Sequence, residues 1–297
     1  MTDFAIETEN LSKSYRGQPA LTGLDLRVPS GSIFGFLGRN GAGKTTTINV
    51  LMGLARGDSG TVSVLGSEID NPDRAVEVRR RIGFVTEDKD LYPYMTVAQM
   101  IRFVRPFFPK WRDDLVDRYV RLFDLPLNKK IPDLSKGMRS KLMLVLAISH
   151  EAELLILDEP TDGLDPAAVE DMLRELVAIA SSEGTTIFFS SHHLSEVEQI
   201  ADQVCIIDRG HSVVAGSLDD LKVRYQRLQI AFGGDVRLPV RWADGVEHVH
   251  QEGRVISILA SRNIDAIVEQ TKSMPVISVE RFPVSLKEIF LEQVRGN

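Results

Sequence analysis

The segment Gly38-Arg39-Asn40-Gly41-Ala42-Gly43-Lys44-Thr45 fits the pattern G-x-x-x-x-G-K-[ST], and no other feature narrows what this chain can fold into as far. Ser32 to Leu37 before it is an apolar run of strand length, and the residues after it read as a helix. Gly38, Gly41 and Gly43 let the backbone turn sharply, so that its N–H groups point inward at phosphate oxygens while the positive end of the helix faces the same anion. The spacing implies a phosphate-binding loop and, with it, a bound nucleotide. Lys44 would reach the β- and γ-phosphates and Thr45 would give its hydroxyl to Mg²⁺. Arg39, Asn40, Ala42 and Thr46 belong to the same nucleotide-binding stretch.

Leu154-Leu155-Ile156-Leu157-Asp158-Glu159 is four apolar residues followed by two carboxylates. That is the pattern of a buried central strand delivering its acids at the carboxyl edge of a parallel sheet. Asp158 can hold the water shell of Mg²⁺, and Glu159 can orient and polarise an attacking water.

Between the two motifs lies Leu134-Ser135-Lys136-Gly137-Met138, followed by the apolar stretch Leu142 to Ile148, which reads as a buried helix with Ser135 and Gly137 at its N-terminus. On these residues the chain resembles the ATPase subunits of ABC transporters, in particular those of bacterial exporters of the ABC-2 type. Their signature is usually written LSGGQ. The resemblance covers about the first 220 residues. It implies an α/β fold with a P-loop NTPase core, an antiparallel β subdomain and an inserted helical subdomain. It also implies that one ATP is sandwiched between two chains, so that Ser135 and Gly137 of one face the γ-phosphate held by the other. Lys136 and Met138 depart from the family's Gly and Gln.

Further positions match the family. Tyr15 is where it stacks an aromatic ring on adenine, and Asp162-Gly163-Leu164-Asp165 resembles the loop that crosses the dimer interface. His192 follows the β-rich run Thr185 to Ser191, at the place of the histidine that contacts the γ-phosphate. His193 is expected to face away, because neighbouring residues leaving a strand point in opposite directions. Where the family usually has a glutamine that approaches Mg²⁺, this chain has Glu87, which keeps an oxygen ligand. The resemblance thus implies Glu159, His192 and Lys44 as catalytic groups, with Thr45, Glu87 and Asp158 as Mg²⁺ ligands, partly through water.

With 43% hydrophobic and 26% charged residues the composition is that of a globular protein. Its longest apolar runs fall well short of the roughly 18 residues that span a bilayer, and no signal peptide opens it, so a cytoplasmic place, peripheral on the inner face of the cell membrane, is expected. The single cysteine, Cys205, excludes an intrachain disulfide and suits a reducing compartment. A net charge of −7 argues against coating nucleic acid, and Arg79-Arg80-Arg81 reads as a solvated face.

Residues 4 to about 37 read as short strands, with Gly17-Gln18-Pro19 and Pro29-Ser30-Gly31 as turns. A helical subdomain is expected at about 88–150, with helices from Val97 to about Phe108 and from about Asp113 to Phe123. Leu91-Tyr92-Pro93-Tyr94-Met95, Phe103, Phe107 and Phe108 are expected mostly in its core, some lining a groove for a short helix of a polytopic membrane permease. The ATPase domain is placed at 1–218, and 219–297 reads as a small C-terminal α+β accessory domain for dimer support or regulation. Its expected elements are a hairpin around Glu252-Gly253-Arg254, a helix from Asp265 to Lys272, a strand from Val276 to Val279, and a last helix opened by the capping box Ser285-Leu286-Lys287-Glu288.

A soluble ATPase of the same family acting on ribosomes or DNA is the alternative; such a chain would more often carry two cassettes or a long coiled coil, and neither is present. A GTPase or small-molecule kinase is excluded by the lack of Asn-Lys-x-Asp, since Asn128-Lys129-Lys130-Ile131 ends in the wrong residue.

Overall fold

The computed structural model describes residues 3–69, 71–88, 90–234 and 241–295. The chain divides into two compact units, Met1–Ala215 and Gly216–Asn297. In the first, β1 (Phe4–Tyr15) and β2 (Gln18–Pro29) form an antiparallel hairpin turned at Arg16 and Gly17, whose φ angles are 51° and 79°. A two-residue loop with both φ positive matches the twist of the strands it joins. The expected short strands are therefore two long ones. Pro19, expected in a turn, lies inside β2, an edge strand of its antiparallel sheet, where a residue without an N–H is tolerated.

β3 (Ile33–Leu37) is buried at all five positions and leads through the phosphate loop into α1 (Lys44–Leu51). β4 (Ser59–Val64) and β5 (Ser67–Glu68) return to the antiparallel sheet, and α2 (Pro72–Arg79) precedes β6 (Ile82–Val85). Helices α3 (Val97–Val104), α4 (Asp113–Leu122) and α5 (Lys136–Ile148) then form the inserted segment. The helix expected to run to Phe108 stops at Val104. Pro106 lacks the N–H that the next turn requires, and a 3₁₀ turn at Arg105–Phe107 takes over.

The chain continues through β7 (Leu154–Asp158), α6 (Pro166–Glu183), β8 (Thr186–Ser191), α7 (Leu194–Ile200), β9 (Gln203–Asp208) and β10 (His211–Ser217). The central sheet has the order β10-β9-β3-β8-β7-β6, with every pair from β9 to β6 parallel. Phe188 of β8 packs on Phe36 of β3 with ring centroids 5.2 Å apart, and both are fully buried. Truncating either ring would cost about 3–5 kcal/mol. Because β3, β7 and β8 are parallel neighbours, the phosphate loop, the acids after β7 and the histidines after β8 emerge at one edge of the sheet.

Two expectations need correction. Only Arg80 of the arginine run is exposed, and it pairs with Glu77 at 3.1 Å; Arg79 donates to the Met52 carbonyl at 3.0 Å, and Arg81 grips Glu153 through two 2.7 Å bonds. The aromatics expected mostly in the helical core lie largely outside it. Tyr94 is 68% and Phe107 59% exposed, and Tyr92, Tyr94, Phe103 and Phe107 touch ring to ring in a surface chain. Cys205 is buried in β9, and burial pushes its thiol up to about 11.

The second unit contains α8 (Leu218–Arg224), β11 (Gln226–Phe232), β12 (Val246–Glu252), β13 (Val255–Ala260), α9 (Ile264–Thr271), β14 (Val276–Pro283) and α10 (Leu286–Arg295). Its antiparallel sheet has the order β12-β13-β11-β14. Leu228, Ile230 and Phe232 of β11 form its core with Ile256, Ile258 and Ile267. Ser285 and Glu288 close the capping box of α10, the Ser285 N–H reaching the Glu288 carboxylate at 3.0 Å. The boundary expected at 218/219 falls inside α8, just beyond the division at 215/216. Among the described residues, no helix is long and apolar enough to cross a membrane.

Candidate nucleotide site

Between β3 and α1 the backbone takes a course that side chains would block. Gly43 has a φ of 114°, and a Cβ there would stand 2.8 Å from the Ala20 carbonyl oxygen; at Gly38 one would stand 2.6 Å from that of Ile207. Gly43 caps α1 with no side-chain acceptor, and the first turn of α1 has no acidic residue, which leaves its N–H groups and positive end to an anion.

These backbone groups open into a cavity of about 570 Å³. Its walls are Arg39 to Gly41, Gly43 to Thr46 and Ala20, with Glu87, Glu159, Asp162 and His192 from other loops. Lys44 is 7% exposed; its Nζ donates to the Gly38 carbonyl at 2.8 Å and lies 3.3 Å from Glu159 Oε1. The other carboxylate oxygen, Oε2, accepts the backbone N–H of His192 at 3.2 Å and faces its Nδ1 at 2.8 Å. Glu159 is thus gripped from both sides while 4% exposed, and its backbone adopts a left-handed φ of 48°. Strain of that kind, roughly 1–3 kcal/mol, survives only where the surroundings dictate it.

Asp158 sits beneath Glu159. Its carboxylate accepts the Ser190 hydroxyl at 2.5 Å and that of Thr45, and Ser190 Oγ also accepts the Glu159 N–H at 3.1 Å. Burial raises the Asp158 pKa, with Glu159 adding to the rise and the two hydroxyls and Lys44 opposing it. The carboxyl of Glu87 is raised too, by burial first and then by Asp158, Glu159, Asp88 and Asp162. These acids crowd one place, so a cation among them would relieve their repulsion. Among the described residues no three or more His, Cys, Asp or Glu gather into a metal cage. The Thr45 hydroxyl on the Asp158 carboxylate beside the phosphate loop is the kind of donor set that suits Mg²⁺, which binds through one or two carboxylates and completes its shell with water and phosphate oxygens.

Gly38, Ala42 and Asp158 do not line the cavity, and Ala42 and Asp158 are each 3% exposed. Tyr15 is not part of the lining: it ends β1 with its ring 47% exposed and Lys13 Nζ 5.4 Å from the ring centroid. Ser135 and Gly137 also lie outside the lining. Ser135 caps α5, accepting the Met138 N–H at 3.1 Å, and remains exposed. Lys136 stretches across Gly163, and its Nζ reaches Asp162 Oδ2 at 2.5 Å. The histidine rings do not diverge as expected. Their centroids are 3.9 Å apart, because β8 has ended at Ser191 and the chain is already turning into α7. His193 still opens into a different cavity, beside Leu164 and Gln199. Ser190 had no sequence signal as a site residue, since a serine in a β-rich run looks ordinary; Lys136 stood out only as a departure from the signature, and its reach to Asp162 was not foreseen.

A buried lysine in a phosphate loop, opposite a carboxylate pair on a parallel strand, defines a P-loop nucleotide-binding protein. The profile of the ABC transporter family matches residues 21–162. The bacitracin transport ATP-binding protein BcrA of Bacillus licheniformis is 33% identical over 98% of this chain and 97% of its own length. Nod factor export ATP-binding protein I of Rhizobium meliloti is 33% identical over 97% of this chain and 87% of its own length. A solved ATP-binding subunit of an ABC transporter is 30% identical and superposes with a TM-score of 0.67 over 74% of this chain and 92% of its own. This chain belongs to the ABC transporter family, among its ATP-binding proteins.

Proposed function

We propose that this chain binds MgATP in the cavity above the phosphate loop and hydrolyses it to drive a membrane export complex. The observation that carries this reading is the Glu159 carboxylate, buried and held between Lys44 and His192 beside the phosphate loop. Glu159 takes a proton from the attacking water, whose oxygen bonds to the γ-phosphorus as the bond to the β–γ bridging oxygen breaks. Lys44 leaves Glu159 for the β- and γ-phosphates, and His192 keeps the base oriented. Thr45, Asp158 and Glu87 would hold Mg²⁺, which neutralises charge on the transferring phosphoryl group. Tyr15, half exposed at the end of β1, stacks on adenine.

Two chains assemble face to face, with the exposed Ser135 and half-buried Gly137 of each supplying a hydroxyl and a backbone N–H to the γ-phosphate on the other. The exposed aromatic chain from Tyr92 to Phe107 offers an apolar surface for a short helix of a polytopic permease, which puts the subunit on the inner face of the cell membrane. The name of the Rhizobium relative supports the export direction. The second unit serves dimer support or regulation. Affinity purification of the tagged chain from detergent-solubilised membranes tests the reading: a polytopic membrane protein should co-purify, and ribosomes or DNA in its place would refute the transport role.

A further inference from the structure

The grip on Glu159 has a second layer, built from a carboxylate in the first turn of α7. Glu196 Oε2 accepts the Thr161 hydroxyl at 2.6 Å and stands 3.5 Å from that of Ser191. Thr161 is 3% exposed and Ser191 fully buried, so neither hydroxyl has water as a ready substitute. Thr161 follows Glu159 by two residues, in a turn closed by the Asp162 N–H on the Glu159 carbonyl at 3.1 Å. Ser191 immediately precedes His192, and its Oγ accepts the His193 N–H at 2.9 Å. One carboxylate oxygen therefore joins the segment behind the proposed base to the segment that carries its histidine partner.

We propose that Glu196 is a positioning residue for hydrolysis: it fastens the Glu159–Thr161 turn to the end of β8 and so fixes the contact between Glu159 and His192. The inference rests on Glu159 as the base. The left-handed backbone at Glu159 needs such support on both flanks. Ser190 supplies it at the Glu159 N–H, and Glu196, through Thr161, supplies it on the other side. Glu196 itself is absent from the cavity wall. It acts through where it holds its neighbours.

The test compares kcat, KM for MgATP and affinity for a fluorescent ATP analogue in the full chain carrying Glu196→Ala, Glu196→Gln or Thr161→Val. Displacing a catalytic group by about 1 Å costs on the order of 100-fold in rate. Glu196→Ala and Thr161→Val should lose about 10- to 100-fold in kcat, with KM and analogue affinity close to wild type. Glu196→Gln should recover most of the loss, because its amide oxygen accepts the same hydroxyls. The proposal is overturned if the loss falls on KM alone, if Glu196→Gln is as slow as Glu196→Ala, or if Thr161→Val turns over normally. Should Glu196→Ala not fold, Thr161→Val removes the same bond from the other side and decides the matter. A Glu159→Gln chain assayed alongside separates the two readings: full turnover there removes the base itself, whereas a dead Glu159→Gln beside an undiminished Glu196→Ala removes only the positioning role.

Discussion

Replacing Glu159 by glutamine removes one charge and turns one of its two acceptor oxygens into a donor, and the structure fixes what each change does. Oε1 faces the Lys44 ammonium at 3.3 Å and Oε2 faces two donors of His192. Glutamine has one oxygen to divide between these ends, so whichever way it turns, its NH₂ group meets a donor. Without nucleotide the chain loses its Lys44 counter-charge. Breaking a buried pair costs about 3–5 kcal/mol at most, less here because Lys44 keeps the Gly38 carbonyl at 2.8 Å. The nucleotide-free melting temperature should fall by several degrees, at about 2–4 °C per kcal/mol for a unit of this size. ATP reverses the order of stability, because Lys44 no longer has to leave a carboxylate to reach the phosphates. The analogue should bind at least as tightly as to wild type, and MgATP should raise the melting temperature by more. Hydrolysis should slow by at least about 100-fold, as expected when a positioned base is lost. Thermal scanning with and without MgATP, analogue titration and single-turnover hydrolysis give the three readings. Turnover within about tenfold of wild type, or weaker ATP binding, would refute the reasoning.

Lys44→Ala should weaken nucleotide binding strongly, whereas Tyr15→Ala should weaken ATP and ADP alike; unchanged analogue affinity in Lys44→Ala contradicts the phosphate-loop reading. Mixing Lys44→Ala chains with Ser135→Arg chains, each inactive alone, should restore up to one working composite site per heterodimer, and a flat ATPase rate across mixing ratios in verified heterodimers would remove the site shared between chains. His150 predicts an acid-side loss of stability. Burial lowers its pKa from 6.5 to about 4, and its ring stacks on Phe108 at 3.9 Å. Between those values the unfolded chain takes up a proton that the folded one refuses, so the contribution is complete above about pH 6.5 and falls by about 3 kcal/mol on the way down to about pH 4. Urea unfolding of His150→Phe should show a shallower decline than wild type over that range, and parallel curves would exclude His150 as the cause.

The parts of the site that were legible are those whose chemistry demands particular residues at a fixed spacing. Gly38 to Thr45 and Leu154 to Glu159 admit few alternatives, and the four apolar residues ending in two carboxylates announced a buried strand of a parallel sheet. The hidden parts come from ordinary residues made special by place. Ser190 and Glu196 look like a strand serine and a helix glutamate until the fold brings them to the acids after β7. The rings of His192 and His193 lie together because the strand stops one residue before them, and an alternation rule cannot see where a strand ends. Pro106 did carry a warning about α3, yet the apolar Phe103, Phe107 and Phe108 drew the expected helix past it. In the second unit, β11 was not among the expected elements, although Leu228, Ile230 and Phe232 alternate with Arg227, Gln229 and Ala231.

Lys136 and Gly163 occupy what is in effect one volume. A Cβ at Gly163 would lie 2.3 Å from the lysine Cδ, and Gly163 already holds a φ of 76°. A change at either position is therefore felt through the Lys136–Asp162 ion pair. A side chain at 163 expels the lysine from Asp162, while a glycine at 136 takes a positive charge away from an acid on the wall of the nucleotide cavity. Anyone grafting a signature loop from a relative with glycine at that place moves the electrostatics of the recipient's own nucleotide cavity along with it. The interchangeable unit is the loop together with the turn beneath it.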